Sequence, residues 1–323
     1  MRILSSAIGV LSCGLTLAVA TAAASAQGWP NHTVRMITPL GPGSGMDVAA
    51  RLFAEKLSAK WGQPVVVENR QGADGILAVQ SFLSDRDNHS LIFGFGGLIS
   101  INPLIHDKLP YDPARDIVPV ASAIDSTLAL TVSTILKVNS MTEFVAAAKA
   151  QPGQINWAAT TGLPLYVVAA LQKNAAIAIV QISYRDFSPA FQDFATGRVH
   201  LLATGITLLL PQVAAGRGKF LMVTNSERSP LAPEVPTPKE AGFPELTFNG
   251  TNGIYGWRDM PQSLKDRIAA DVREIAGEPA VAERLKPTGA TMRPGNGTAF
   301  AAAIEDQRAK VAAVAQAIAA KPK

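Results

Sequence analysis

Two kinds of pattern alternate along the chain. Short apolar runs bounded by glycine and proline predict buried strands at residues Val34–Thr38, 64–68 and 90–93, and later at 127–132, 155–158, 178–183, 199–203 and 220–223. Between them, apolar positions recur every three or four residues and predict helices. One runs through Val48, Leu52 and Leu57 with Arg51, Glu55 and Lys56 on its wet face. Others cover 76–83, 142–149 and 165–172. Beyond Trp257 the pattern is helical, near 263–275, 281–285 and 297–319. Residues 229–243 carry Pro230, Pro233, Pro236 and Pro238 and read as a long surface connection. Strands alternating with helices predict an α/β protein with parallel sheets covered on both faces. The layout fits two lobes joined by more than one crossing.

The N-terminus breaks this pattern. Arg2 precedes an apolar stretch from Ile3 to about Ala20, and the small-residue exit Ala24-Ser25-Ala26 follows. Positive start, apolar core and small-residue exit describe a cleaved secretory signal over residues 1–26. The alternative is a permanent membrane anchor. A lipoprotein site at Val10-Leu11-Ser12-Cys13 fits less well, because cleavage there would strand a second apolar segment on the mature chain. Cys13 is the single cysteine and leaves with the signal, so no disulfide or thiol chemistry is expected. The 29 basic residues against 25 acidic ones give +4 without any long basic run, which argues against a nucleic-acid partner.

Three loops at predicted strand ends could meet a ligand. Gly41-Pro42-Gly43-Ser44-Gly45-Met46-Asp47 lies between a strand and a helix. Glycines there permit close backbone approach, and the N–H groups at the helix start can hold an anion. A glycine-rich turn with a well-capped helix, Ser44 and Asp47 forming the cap, explains the same residues. The second loop is Gly94-Phe95-Gly96-Gly97-Leu98-Ile99-Ser100, and the third is Ala159-Thr160-Thr161-Gly162-Leu163-Pro164, where Pro164 could start a helix. Such loops can converge on one crevice in an open α/β fold. Glu68 after the first glycine loop imitates a dinucleotide fingerprint, but Met46 stands at the third glycine. His32, His89, His106 and His200 are scattered, and H-E-x-x-H, G-x-S-x-G and S-x-x-K are missing, so neither metal nor hydrolytic chemistry is indicated. Tyr184 and Arg185 could face a ligand or pack on the surface. Trp157 reads as core.

Several segments together resemble the Bug-type periplasmic receptors of tripartite tricarboxylate transporters. They are 34–47, Ala50-Arg-Leu-Phe-Ala-Glu-Lys-Leu57, Gly62-Gln-Pro-Val-Val-Val-Glu-Asn-Arg70, Ile101-Asn102-Pro103, and Leu109-Pro-Tyr-Asp-Pro113 with Asp116. Ser183-Tyr184, Ser188-Pro189-Ala190, Arg228-Ser229-Pro230, Val235-Pro236-Thr237 and Glu240-Ala241-Gly242 continue the series. The resemblance covers nearly the whole mature chain. It implies a type II-like Venus flytrap, with lobe 1 at 27–125 plus 250–323 and lobe 2 at 126–249. It implies a small carboxylate ligand, no cofactor, no metal, no catalysis, a monomer, and partners in the large and small membrane subunits of a transporter. The ligand-binding residues it implies are Gly43, Ser44, Gly45, Met46, Asp47, Phe95, Gly96, Gly97, Leu98, Thr161, Gly162, Tyr184 and Thr204. A sensor that engages a signalling partner, or a secreted α/β hydrolase or oxidoreductase, are the alternative readings.

The chain departs from the family pattern in its apolar character. Met46 stands where a small hydroxyl residue is usual, Phe95, Gly96 and Leu98 replace small and polar residues, and Leu163-Pro164-Leu165 and Ala203-Thr204-Gly205-Ile206 replace more polar stretches. Backbone donors survive such changes and side-chain donors do not. An aromatic or medium-chain mono- or dicarboxylate is therefore expected to fit better than citrate. Removal of residues 1–26 should yield a form that stays in the supernatant after membrane sedimentation. Co-sedimentation of that form with membranes would overturn the signal reading.

Overall fold

The computed structural model describes residues 28–319 apart from 86, 87, 185 and 186; the expected signal and Arg185 lie outside the described residues. In chain order the first elements are β1 (Val34–Thr38), α1 (Gly45–Trp61), β2 (Val65–Asn69), α2 (Ile76–Leu83), β3 (Ser90–Phe95), α3 (Gly97–Ser100), α4 (Asn102–Ile105) and β4 (Ile117–Ser126). Then come β5 (Leu128–Ser133), α5 (Met141–Ala150), β6 (Asn156–Ala159), α6 (Leu163–Ala175), β7 (Val180–Gln181), α7 (Ser188–Thr196), β8 (Leu201–Gly205), α8 (Ile206–Ala214) and β9 (Gly218–Val223). The chain ends with β10 (Gly250–Trp257), α9 (Gln262–Ala276), α10 (Pro279–Leu285), β11 (Thr291–Asn296) and α11 (Gly297–Ala319).

The strands form two sheets, ordered β11-β4-β10-β3-β1-β2 and β7-β6-β8-β5-β9. Both are mixed, which corrects the expectation of parallel sheets. β1 runs parallel to β2 and β3, and β6 parallel to β7 and β8. In contrast, β10 is antiparallel to β3 and β5 to β8. The reason is the crossing. The chain leaves the first sheet at Ser126, enters the second at Leu128, and returns at Gly250. A strand arriving from the other lobe starts at the gap, where the βα strands end, so it must run opposite to them.

Each sheet is covered on both faces. In lobe 1, α1 and α9 bury Leu52, Phe53, Leu57, Ile268 and Val272 on one face, and α2 with the start of α11 buries Val79, Phe82, Phe300 and Ile304 on the other. In lobe 2, α5 and α6 contribute Phe144, Val167 and Leu171, while α7 and α8 contribute Phe194 and Leu209. The helix α11 belongs to both lobes. Phe300 and Ile304 pack in lobe 1, and Val311 and Val314 pack in the lobe 2 core beside α6. These positions share one stripe at helical spacing. Each buried side chain contributes roughly 1.5–3 kcal/mol, so the helix ties the lobes together.

Polar side chains lace the crossing. Thr127 donates to the Gly289 carbonyl at 2.6 Å, Asn225 Nδ2 to the Ser126 carbonyl at 3.1 Å, and Asn252 Nδ2 to Ser126 Oγ at 2.9 Å. Asp125 is buried at the end of β4, and Arg293 of β11 bonds it at 3.1 Å while reaching Glu227 at 3.0 Å on the returning segment. Burial pushes the Asp125 carboxyl up from its usual range, and the Arg293 charge opposes that rise.

Arg293→Ala should therefore destabilise the protein by about 3 kcal/mol near neutral pH, because it leaves a buried carboxylate without its cation. Without Arg293, the folded-state pKa of Asp125 stands further above its unfolded value. Its protonated form then favours folding at low pH, and that advantage is lost as pH rises through the folded pKa. Urea unfolding should show a smaller loss at acidic than at alkaline pH, and Asp125→Asn should recover part of it. An equal loss at both pH values would overturn this account.

Candidate functional site

The ends of the parallel strands face one another across the gap and enclose a cavity of about 730 Å3. Its lobe 1 wall comes from the β1–α1 turn (Leu40, Gly41, Gly45, Met46), the β2–α2 turn (71–75) and the β3–α3 turn (Phe95, Gly96, Gly97). Its lobe 2 wall comes from the β6–α6 turn (160–164) and the β8–α8 turn (Thr204, Gly205, Thr207, Leu208). The crossing strands supply the floor with Ser126, Thr127, Thr251 and Asn252. Thr160 and Thr204 tie the two lobe 2 turns together, hydroxyl to hydroxyl, at 3.1 Å.

Of the residues expected from sequence, Gly45, Met46, Phe95, Gly96, Gly97, Thr161, Gly162 and Thr204 line this cavity. Gly43, Ser44, Asp47, Leu98 and Tyr184 stand outside the lining, each for a local reason. Gly43 takes φ +80°, and its N–H bonds Asp47 Oδ2 at 2.9 Å. Ser44 caps α1 by accepting from the Asp47 N–H at 3.2 Å. Asp47 is buried, which would raise its pKa, but donors from Arg51, Asn69 and Gly43 outweigh that and hold it below the usual carboxylate range. These three residues build the turn. Since the Ser44 N–H also bonds the Gly41 carbonyl, the turn offers the cavity Gly45 and Met46, whose amides open α1 and have no intrahelical acceptor.

Leu98 is fully buried, among Ile37, Ile76 and Phe82, and its methyls fill the space above Gly75 and Gly94. Its side chain is thus core and takes no part in the wall. Met46 also packs mainly into the lobe 1 core, whereas Phe95 is only partly buried at the cavity edge. Tyr184 donates to Asp193 at 2.5 Å on its own lobe, and burial, then the Asp193 charge, push its hydroxyl up to about 12.

Sequence reasoning missed the β2–α2 turn as a wall of the cavity. Gly72, Ala73, Asp74 and Gly75 all take positive φ, from 47° to 122°. Non-glycine residues enter this region at a cost of about 1 kcal/mol or more, so Ala73 and Asp74 are strained by the turn that presents them. The Gly-x-x-Gly spacing with Asp before Gly was a readable signal. Ile101, Asn102, Ile105, Thr288 and Gln307 also line the cavity, brought there by packing alone. A second cavity of about 250 Å3 lies beyond Thr251 and Gln307, which line both; Asp125, Arg293 and Lys310 border it.

Electrostatically the main cavity has one marked feature: among the described residues, its lining holds no lysine, arginine or histidine. Positive potential comes instead from backbone. The helices α1, α6 and α8 all begin at the cavity, with Gly45 and Met46, Leu163 and Pro164, and Thr207 and Leu208 in its wall. Each start presents the positive end of a helix dipole, but they differ in donors: α1 offers the N–H groups of Gly45 and Met46 and α8 those of Thr207 and Leu208, while at α6 Pro164 has no N–H and the Leu165 N–H bonds the Gly162 carbonyl, leaving that of Leu163.

Residues 49–320 match the family described as Tripartite tricarboxylate transporter family receptor. This chain belongs to that family. A UPF0065 protein of Bordetella bronchiseptica is 31% identical over 97% of this chain and 93% of its own length. Protein BugT of Bordetella pertussis is 30% identical over 86% of this chain and 87% of its own length. Among solved structures, an R. palustris protein with adipate superposes with a TM-score of 0.76 at 27% identity, covering 89% of this chain and 98% of that one. MatC from Rhodopseudomonas palustris with bound malate gives 0.72 at 26% identity, covering 89% and 100%. The fold is accordingly that of the two-lobed binding proteins, and the chain is a receptor of the Bug type.

Gly75 tests how tightly the wall is built. A Cβ there would lie 2.6 Å from Leu98 Cδ2 and 3.2 Å from both Phe95 and Pro39, at a φ of +84°. Gly75→Ala should cost about 2 kcal/mol and lower the thermal midpoint by several degrees. A midpoint equal to the wild type would mean that the turn relaxes freely.

Proposed function

We propose that this receptor captures a small carboxylate in the periplasm, as a monomer, and hands it unchanged to the large and small membrane subunits of a tripartite transporter. The observation that carries the reading is the cavity that gathers three helix starts and, among its described lining residues, no cationic side chain. Such a site favours an anion small enough to sit against backbone N–H groups. The fold supports capture by closure, since a ligand contacting both lobes favours the closed state by its extra contacts there. The relatives with adipate and malate support a carboxylate. Support for capture without chemistry comes from the described lining residues, among which hydroxyls and amides surround a single acid, Asp74.

The wall shapes the ligand as well. Leu40, Ile101, Ile105, Leu163, Pro164 and Leu208 give it an apolar character along both lobes. Each methylene buried there contributes about 0.8 kcal/mol. Aromatic or medium-chain acids should therefore bind better than citrate, which needs donors for three charged groups.

A thermal-shift screen followed by calorimetry tests this. Benzoate-type and medium-chain acids should raise the midpoint more than citrate, and mass spectrometry should recover them unaltered. Gly45→Val adds a branched side chain at the cavity wall, with its Cβ only 3.3 Å from Thr288 Cβ, and should weaken binding at least ten-fold while the circular dichroism stays native. Tightest binding to citrate, or turnover of the acid, would overturn the proposal.

A further inference from the structure

Among the described residues that line the cleft, one carries a fixed charge, and it is negative: Asp74 is the only described residue of the lining with an ionisable side chain. Its backbone is locked at φ +51° within the β2–α2 turn, and its carbonyl accepts from Asn102 Nδ2 at 3.0 Å. Its carboxylate is bonded by His106 at 3.1 Å and stays 29% exposed. The charge is also felt across the gap, where burial first and Asp74 second raise the Tyr166 hydroxyl on α6.

Four of the lining's polar side chains have their donors already committed. Both N–H bonds of Asn102 are used, on the Asp74 carbonyl and Tyr111 Oη, and both of Asn252, on Ser126 Oγ and the Gly250 carbonyl. Thr127 and Thr288 donate to the carbonyls of Gly289 and Leu285. A second carboxylate in the cleft would need two or three donors and a counter-charge. It would find these groups spent and a like charge facing it.

Resting on the carboxylate reading above, we propose that this cleft is a monocarboxylate filter. The ligand carries one carboxylate, held at the helix starts. Its far end, toward Asp74, is neutral or donates hydrogen bonds, as a hydroxyl, amide or ammonium group does. Asp74 and the committed amides reject a second carboxylate. The filter distinguishes this receptor from its structural neighbours with adipate and malate.

Calorimetry on the purified receptor with matched pairs tests the filter: hexanoate, 6-hydroxyhexanoate and 6-aminohexanoate against adipate, and benzoate against terephthalate. Each preferred monoacid should bind about ten-fold or more tightly than its diacid, the order expected for like charges several ångströms apart in a partly screened cleft. Asp74→Asn keeps the shape and tolerates positive φ, and Asp74→Gly relieves that backbone entirely. In both variants the gap should close, mainly through tighter binding of the diacid. A wild-type receptor that binds the diacids as tightly as the monoacids would overturn the filter alone, as would a gap that both Asp74 variants leave unchanged. If no acid of either kind binds, the carboxylate reading falls and the filter with it.

Discussion

The direction of a few parallel strands governs this molecule. A strand followed by a helix that packs back onto the same sheet delivers every connecting turn to one edge. β1, β2 and β3 do this in lobe 1, and β6 and β8 do it in lobe 2. Because the lobes meet along those edges, the turns and the helix starts behind them face one gap. The antiparallel strands β5 and β10 follow from the same constraint, since a chain crossing the gap must enter the next sheet at that edge. The cavity is therefore a consequence of strand direction, with its field supplied by peptide dipoles.

The crossing is what joins the two lobes. Its strength lies in polar contacts between backbone segments of different lobes and in the Asp125–Arg293–Glu227 chain, which joins β4, β11 and the returning segment. The helix α11 adds to this by burying apolar groups in both cores.

Charge is handled differently at the scaffold and at the cleft. Around β1 and β2, carboxylates are paired: Glu68 and Asp85 with Arg35, and Asp47 with Arg51 and Asn69. These pairs shape the turns and leave no net cation at the cavity. Among the described residues, the cleft thus takes its positive potential from backbone amides, which are fixed in place as a lysine side chain is not, and its negative charge from Asp74. That asymmetry gives an elongated ligand a preferred direction.

Much of the architecture was legible in the chain. The apolar runs located β1, β2, β3, β6 and β8, and α2 and α11 were readable to their ends, because periodicity and glycine stops are local properties. The glycine loops were also legible as places of close approach. The helices α7 and α8 and the strands β4, β10 and β11 were not, since their patterns are short or interrupted by proline or, in β10, by glycine. At the cleft, sequence could name the turn 41–47 but could not divide it: Gly43, Ser44 and Asp47 bond one another and build the loop, while Gly45 and Met46 reach the cavity. Leu98 looked like a wall and proved to be core, because the first turn of α3 points it back over Gly75. By itself, then, the sequence determined the α/β class, the family and the turns that could approach an anion, all of which depend on residues close together in the chain. Only the tertiary structure decided which donors remain uncommitted, which apolar side chains face the gap and that Asp74 stands there alone, because those depend on contacts between residues far apart in sequence.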